Sequence, residues 1–198
     1  MKSFLFFLLF LFLVPFNQLE AQNYTYVPDA NFENYLETHN SSGAIVPLGD
    51  PTSMGDGILN DSVLTSNIIN VNLLDVSGLN ISVLTGIEDF SSLTSLNCDS
   101  NLFNALDISN NQLLVLLSCN KNHLYSLNCS SNIVLHTLDC SNNLITSLDL
   151  SNNTVLTNLD CSDNPHLTNL DLRNGNNWQI SSFSSIGDSS LFCIDVDS

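Results

Sequence analysis

The sequence predicts a repeat solenoid of short parallel β-strands, and three observations carry that prediction. Cys98, Cys119, Cys140 and Cys161 recur every 21 residues, with Leu96, Leu117, Leu138 and Leu159 two places before them and Asn101, Asn122, Asn143 and Asn164 three places after. A second series interleaves with the first. Leu106, Leu127 and Leu148 keep the same step and Leu170 follows one residue late, each two places ahead of Ile108, Cys129, Leu150 and Leu172. Composition agrees: of 198 residues 43% are hydrophobic and only 12% charged, and the polar remainder is mostly Asn, Ser, Thr and Asp, which are poor helix formers. So much Leu and Ile also separates the chain from an acidic disordered tail.

In chain order, the first element is an address. Lys2 precedes the unbroken apolar run Phe4 to Val14, then Pro15, a polar stretch and small Ala21, which reads as a secretory signal peptide over residues 1–21. The run is roughly half the ~20 residues that a bilayer requires, so no transmembrane segment is expected in the mature chain. No Cys stands near the cut to support lipid attachment there. Residues 22–70 are expected to form an N-terminal cap with a short helix at about 29–39, where Asp29 can serve as N-cap and Phe32, Tyr35, Leu36 and His39 share one face. The repeat solenoid is expected over 71–173, starting in a variant coil at Leu74-Asp75-Val76. Residues 174–198 read as irregular closing coils, because Arg173-Asn174-Gly175-Asn176-Asn177 breaks the register.

Both series obey one template, L-x-x-L-x-L-x-x-N, with Cys or Ile allowed at the third apolar slot. Leu93, Leu96, Cys98 and Asn101 fit it, and Phe103, Leu106, Ile108 and Asn111 fit it again ten residues on. The template resembles the leucine-rich-repeat core pattern. Two nine-residue templates in 21 residues leave about three for turns, so no helix fits within a coil. Each coil is then a flattened loop with a short extended segment on both sides, apolar side chains alternating inward and polar ones outward. Stacked coils share one continuous core that none could form alone.

The segment Leu84-Thr85-Gly86-Ile87-Glu88-Asp89-Phe90 resembles the L-x-G-I-E-x-F stretch of internalin-type repeats. Tyr26-Val27-Pro28-Asp29-Ala30-Asn31-Phe32-Glu33-Asn34-Tyr35-Leu36-Glu37 is similar to the cap of exported bacterial leucine-rich-repeat proteins of that kind. The resemblance covers nearly all of the mature chain. It implies recognition or adhesion at a cell surface. Many such proteins continue into further repeats or a C-terminal sorting domain beyond the part matched here.

Within the template, Asn101, Asn122, Asn143 and Asn164 sit where the chain turns inward, and their amides can satisfy the backbone groups freed at the bend as a structural ladder. Cys98, Cys119, Cys140 and Cys161 occupy one inward slot where Leu or Ile would serve equally, so they read as buried free thiols acting as small hydrophobes. Parallel side-chain vectors disfavour disulfides, and a metal site would show short C-x-x-C spacing. Outward slots hold Asn97, Ser118, Asp139 and Asp160 in one template and Asp107, Asn128, Asp149 and Asp171 in the other. These read as solvated acidic faces that suppress edge association, with Ca²⁺ relieving their mutual repulsion as the alternative. The loop Asp50 to Gly57 matches a calcium loop poorly, since Thr52 and Met54 stand at ligand positions. No other cofactor is expected.

The net charge of −17, from 20 acidic residues against three Lys and Arg, excludes nucleic acid as a partner. Catalysis is not expected: His136 lies near Asp139, but no nucleophile has the spacing or cradle to use it. An extended solenoid face suits binding of a protein or glycan ligand. The candidate face is Ser95, Asn97 and Asp99, then Leu116, Ser118, Asn120 and Lys121, then Thr137, Asp139 and Ser141, then Asn158, Asp160 and Ser162, with Leu116 its apolar break and Lys121 its only cation. The rival expectation is a rigid spacer or self-assembling surface element without a specific ligand.

Overall fold

The computed structural model describes residues 23–198, so the expected signal peptide lies outside the described residues. The cap comes first. Strand β1 (Tyr24–Tyr26) pairs antiparallel with β2 (Ser62–Leu64), placing Thr25 opposite Val63. Between them runs helix α1 (Ala30–Thr38), and a single turn, α2 (Thr65–Ile68), follows β2. Asp29 caps α1, its Oδ1 accepting from the Asn31 and Phe32 N–H groups at 3.0 and 3.2 Å. Its Oδ2 accepts from the Ser82 N–H and hydroxyl, both at 2.7 Å, which ties the helix start to the first coil. Phe32 and Leu36 are buried in the common core, and Phe32 stacks on Phe90 with ring centres 6.3 Å apart.

The long cap loop is organised by two helix carboxylates. Glu37 is fully buried and accepts from the Asp56 and Gly57 N–H groups at 2.7 and 2.6 Å. Glu33 accepts from Asn60 and Ser62 at 2.6 and 3.1 Å. Gly55 must be glycine, because a Cβ there would lie 2.0 Å from Glu37 Cδ. In the loop from Asp50 to Gly57, the Asp56 and Gly57 N–H groups thus point at the Glu37 carboxylate, and Asp50 Oδ1 accepts from the Thr52 N–H at 2.8 Å.

The rest is a stack of about six coils. One side of each coil adds a strand to a parallel sheet: β3 (Leu73–Asp75), β4 (Ser95–Asn97), β5 (Leu116–Ser118), β6 (Thr137–Asp139), β8 (Asn158–Asp160) and β10 (Ser182–Ser184). The register is strict, with Leu74, Leu96, Leu117, Leu138, Leu159 and Phe183 side by side. The other side forms a ladder only in the last three coils, through β7 (Ser147–Asp149), β9 (Asn169–Asp171) and β11 (Cys193–Asp195). Earlier coils bury Leu106, Ile108, Leu127 and Cys129 in the same slots without strand pairing.

Residue patterning explains the turns. Gly78, Ser100, Lys121, Asn142, Asp163 and Gly187 all have positive φ, so the residue before each bend adopts the left-handed region whatever its side chain. The break expected at Arg173 to Asn177 does not end the register. Asn174 is buried and donates to the Asn153 carbonyl oxygen at 3.1 Å, as Asn153 does to Asn132 at 2.9 Å. The last coil takes up its extra residues in a 3-10 turn at Asn177–Gln179, and β10 and β11 rejoin both sheets in register.

Candidate binding face

The interior of the stack fixes the face above it. Asn143 Nδ2 donates to the carbonyl oxygens of Cys119, Cys140 and Ser141 at 3.0, 3.1 and 3.1 Å, and its Oδ1 accepts from the Leu124 N–H at 3.0 Å. Asn101, Asn122 and Asn164 donate to equivalent carbonyl groups. A second amide column, Asn111, Asn132, Asn153 and Asn174, serves the other bend. Cys98, Cys119, Cys140 and Cys161 are fully buried and unbridged. Cys98 Sγ lies 3.3 Å from the Ser118 carbonyl oxygen of the next coil, and Cys119 and Cys161 repeat that contact at 3.5 and 3.4 Å. Burial pushes the thiols far up, Cys161 to about 12, with Asp188 and Asp160 adding to the effect. These thiols are therefore protonated at neutral pH, in keeping with a packing role as small hydrophobes.

Outward residues of the six-stranded sheet form two columns in register. One runs Leu73, Ser95, Leu116, Thr137, Asn158, Ser182 and the other Asp75, Asn97, Ser118, Asp139, Asp160, Ser184. Leu116 is therefore not the only apolar break: Leu73 stands 67% exposed in the same column, against 37% for Leu116. The expectation missed it because β3 lies upstream of the regular period. A third column, Asp99, Asn120, Ser141 and Ser162, lies beside the strands.

The acidic slots have a local task. Asp75, Asn97, Asp139 and Asp160 each accept through Oδ1 from the N–H two residues on, at 3.0 to 3.2 Å. Asp107, Asn128, Asp149 and Asp171 do the same on the opposite side at 2.9 to 3.0 Å. These are Asx turns at the bends, and the recurring Asp/Asn-x-Ser tripeptides were their signal. The Ser109 bonds hold Asp107 below its ordinary value, and Arg173 pulls Asp171 down to about 2. Ser118 breaks the pattern. There Asp99 reaches from the coil before, accepting from the Asn120 N–H at 2.7 Å and the Ser118 hydroxyl at 2.8 Å. Burial raises Asp99 above the usual carboxylate range, and the Asp139 and Asp75 charges add to it.

One residue of the candidate set does not reach solvent. Ser141 is buried, donates its hydroxyl to Asp139 Oδ1 at 2.6 Å and accepts from Asn120 Nδ2 at 2.6 Å, so it orients its neighbours instead of meeting a ligand. Asn97, Asp99, Ser118, Asn120, Thr137, Asp139, Asn158, Asp160 and Ser162 are half-buried, while Lys121 is exposed on a positive-φ turn. His136 is exposed, and its Nδ1 lies 2.9 Å from the Val134 carbonyl oxygen. Among the described residues no three His, Cys, Asp or Glu side chains are grouped to hold a metal ion. No described helix is long and apolar enough to cross a membrane.

Stacked parallel strands, an inward Leu and Cys column and amide ladders at the bends define a leucine-rich-repeat solenoid of internalin-like build. Among solved structures it is similar to the functional domain of InlJ from Listeria monocytogenes, described as including a cysteine ladder, at 26% identity and TM-score 0.50 over 79% of this chain. The likeness extends in fold to the ectodomain of the receptor kinase SOBIR1 from Arabidopsis thaliana, at 24% identity and TM-score 0.55 over 67% of this chain and 76% of that one. The Listeria monocytogenes internalin InlF shares the fold at 18% identity and TM-score 0.51 over 86% of this chain. This chain spans 39% of the InlJ domain and 56% of the InlF chain. No protein-family model and no curated protein matches the sequence. The likeness to these leucine-rich-repeat structures supports a protein-interaction module in general terms.

Proposed function

We infer that the protein is exported through its leader and binds a protein partner at the cell surface through the outward face of the six-stranded sheet. One observation supports this face over the other. Asx turns hold side chains on both sides, but here the polar side chains are also tied from coil to coil before any ligand arrives, through Asp99 to Ser118 and Asn120 and through Asn120 to Ser141. Preorganised polar groups lose little entropy on binding, and Leu73 and Leu116 supply apolar anchors among them.

The test is saturable binding of the purified chain to a panel of extracellular proteins and oligosaccharides. Leu116→Arg is expected to weaken a protein partner at least about tenfold, the loss typical of an anchor residue, with unchanged melting. Ser130→Arg, on an exposed bend of the opposite side, is expected to leave binding intact. Equal loss in both variants, or saturable binding to oligosaccharide alone, overturns the reading.

The structural alternative has its own observation. Phe183 and Ile194 fill inward slots of β10 and β11 yet are 44% and 41% exposed, and both strands lie at sheet edges in the described chain. Concentration-dependent association lost in Phe183→Lys would favour a self-assembling element.

A further inference from the structure

A cleft of about 470 Å³ opens where the cap meets the first strands of the sheet, at the N-terminal end of the proposed binding face. Its walls come from two elements distant in sequence. Tyr35 projects from the last turn of α1 and His39 is the residue that caps its C-terminus, the two rings stacked with centres 4.0 Å apart and planes 15° from parallel. Leu73, Asp75, Ser95 and Asn97 come from β3 and β4. The floor is apolar, since Leu74 and Met54 are buried beneath it. Such a volume suits one long side chain and its flanking backbone.

The chemistry of the lining is one-sided. Asp75 uses Oδ1 for the Ser77 N–H at 3.0 Å, and its Oδ2 has no hydrogen-bond partner among the described residues. The Tyr35 hydroxyl is likewise without one; burial first and the Asp75 charge second raise its pKa, so it remains a neutral phenol. No Lys or Arg lines the cleft. The Asp75 field also reaches Asp99, whose carboxyl it helps to raise. An unpaired carboxylate beside an aromatic pair over an apolar floor is complementary to a cation on a long aliphatic stem. Arginine fits best, because its planar guanidinium can pair with the carboxylate and stack on an aromatic ring together.

We propose that this cleft receives an arginine side chain of the protein partner, presented by an extended segment that continues along the sheet face past Leu116. This deepens the protein-binding reading and rests on it. The partner segment carries positive charge opposite Asp75, Asp99, Asp139 and Asp160, the four carboxylates of that face.

The test uses the whole mature chain and fluorescent ten-residue peptides of alternating Ser and Arg, with the same peptides carrying citrulline in place of Arg as the neutral isostere. Asp75→Asn keeps the Asx turn and removes only the charge. Asp107→Asn makes the same change on the opposite side, where Asp107 caps the Ser109 turn. Anisotropy is expected to show Asp75→Asn weakening the Arg peptide about fivefold, the upper end for one partly exposed ion pair, and Tyr35→Leu weakening it about as much. Asp107→Asn should change it less than about twofold. Equal effects of Asp75→Asn and Asp107→Asn would reduce the attraction to net charge and overturn the proposal. So would equal affinity for the citrulline peptide, or competition by a neutral oligosaccharide in its place. If Leu116→Arg abolishes partner binding while Asp75→Asn leaves it unchanged, the face stands and the cleft falls; if neither acts, both fall.

Discussion

Asn143 shows what a single side chain does in this stack. Its amide joins three carbonyl groups from two coils and accepts one N–H from the coil before, all away from water. Asn143→Ala strands those groups and is expected to cost about 1 to 3 kcal/mol in denaturant unfolding. A midpoint equal to the parent's would remove the amide from the account. Asp188 is the contrasting case. It follows the left-handed Gly187 as Asn164 follows Asp163, but it carries a charge, accepting from the Asn164 N–H at 2.7 Å. Burial raises its pKa above 3.8 despite that bond, and the Asp163 and Asp160 charges add to the rise. The folded state therefore holds this proton more tightly than the unfolded one. The resulting stability is complete below about 3.8 and is lost as pH climbs through the raised value. Asp188→Asn should melt higher than the parent at pH 7 and with it at pH 3. Identical melting at pH 7 would mean the charge costs nothing there.

Among the elements, α1 was legible because its signals are local: Asp29 before an apolar face at helical spacing. The inward strand slots were legible because a strict 21-residue period repeats them. The second amide column was visible at Asn111, Asn132 and Asn153, but Asn174 was hidden by the longer last coil, whose extra residues disturb spacing and leave register intact. The Asp/Asn-x-Ser turns are present in the sequence, but a 21-residue column of outward carboxylates has the same spacing whether the charges are free or each accepts from the N–H two residues on, so the period alone does not reveal the bond. The Glu37 loop was not legible at all. A buried glutamate bonded to N–H groups 19 and 20 residues away leaves no pattern in the chain. Asp29 also has a role beyond capping. Burial opposes its charge, but the Ser82, Phe32 and Val83 hydrogen bonds prevail and hold it below 3.8. Its contribution is thus present above about 3.8 and lost as pH falls through the lower folded value. Asp29→Ala, losing both the cap and the Ser82 tie, should cost about 2 to 3 kcal/mol, whereas Asp29→Asn should retain the cap and cost less. Equal losses, measured by urea unfolding at pH 7, would show that Oδ2 contributes nothing.

For the molecule as a whole, the −17 charge and the 43% hydrophobic content describe two sides of the same coil. Outward carboxylates close the turns, inward Leu and Cys build one core from the cap to β11, and the face between them is set by its own bonds. The central claim is that the 21-residue period is stacked inward around a sealed Cys column. Thiol labelling at pH 8.5 tests it most directly. Cys98, Cys119, Cys129, Cys140 and Cys161 are buried, and only Cys193 is partly open, its thiol raised by the Asp195 carboxylate beside it. The account predicts six free thiols in denaturant and a single one reacting in the native protein, the other five waiting on unfolding. Two or more thiols labelling rapidly in the native state, or fewer than six free in denaturant, would contradict it.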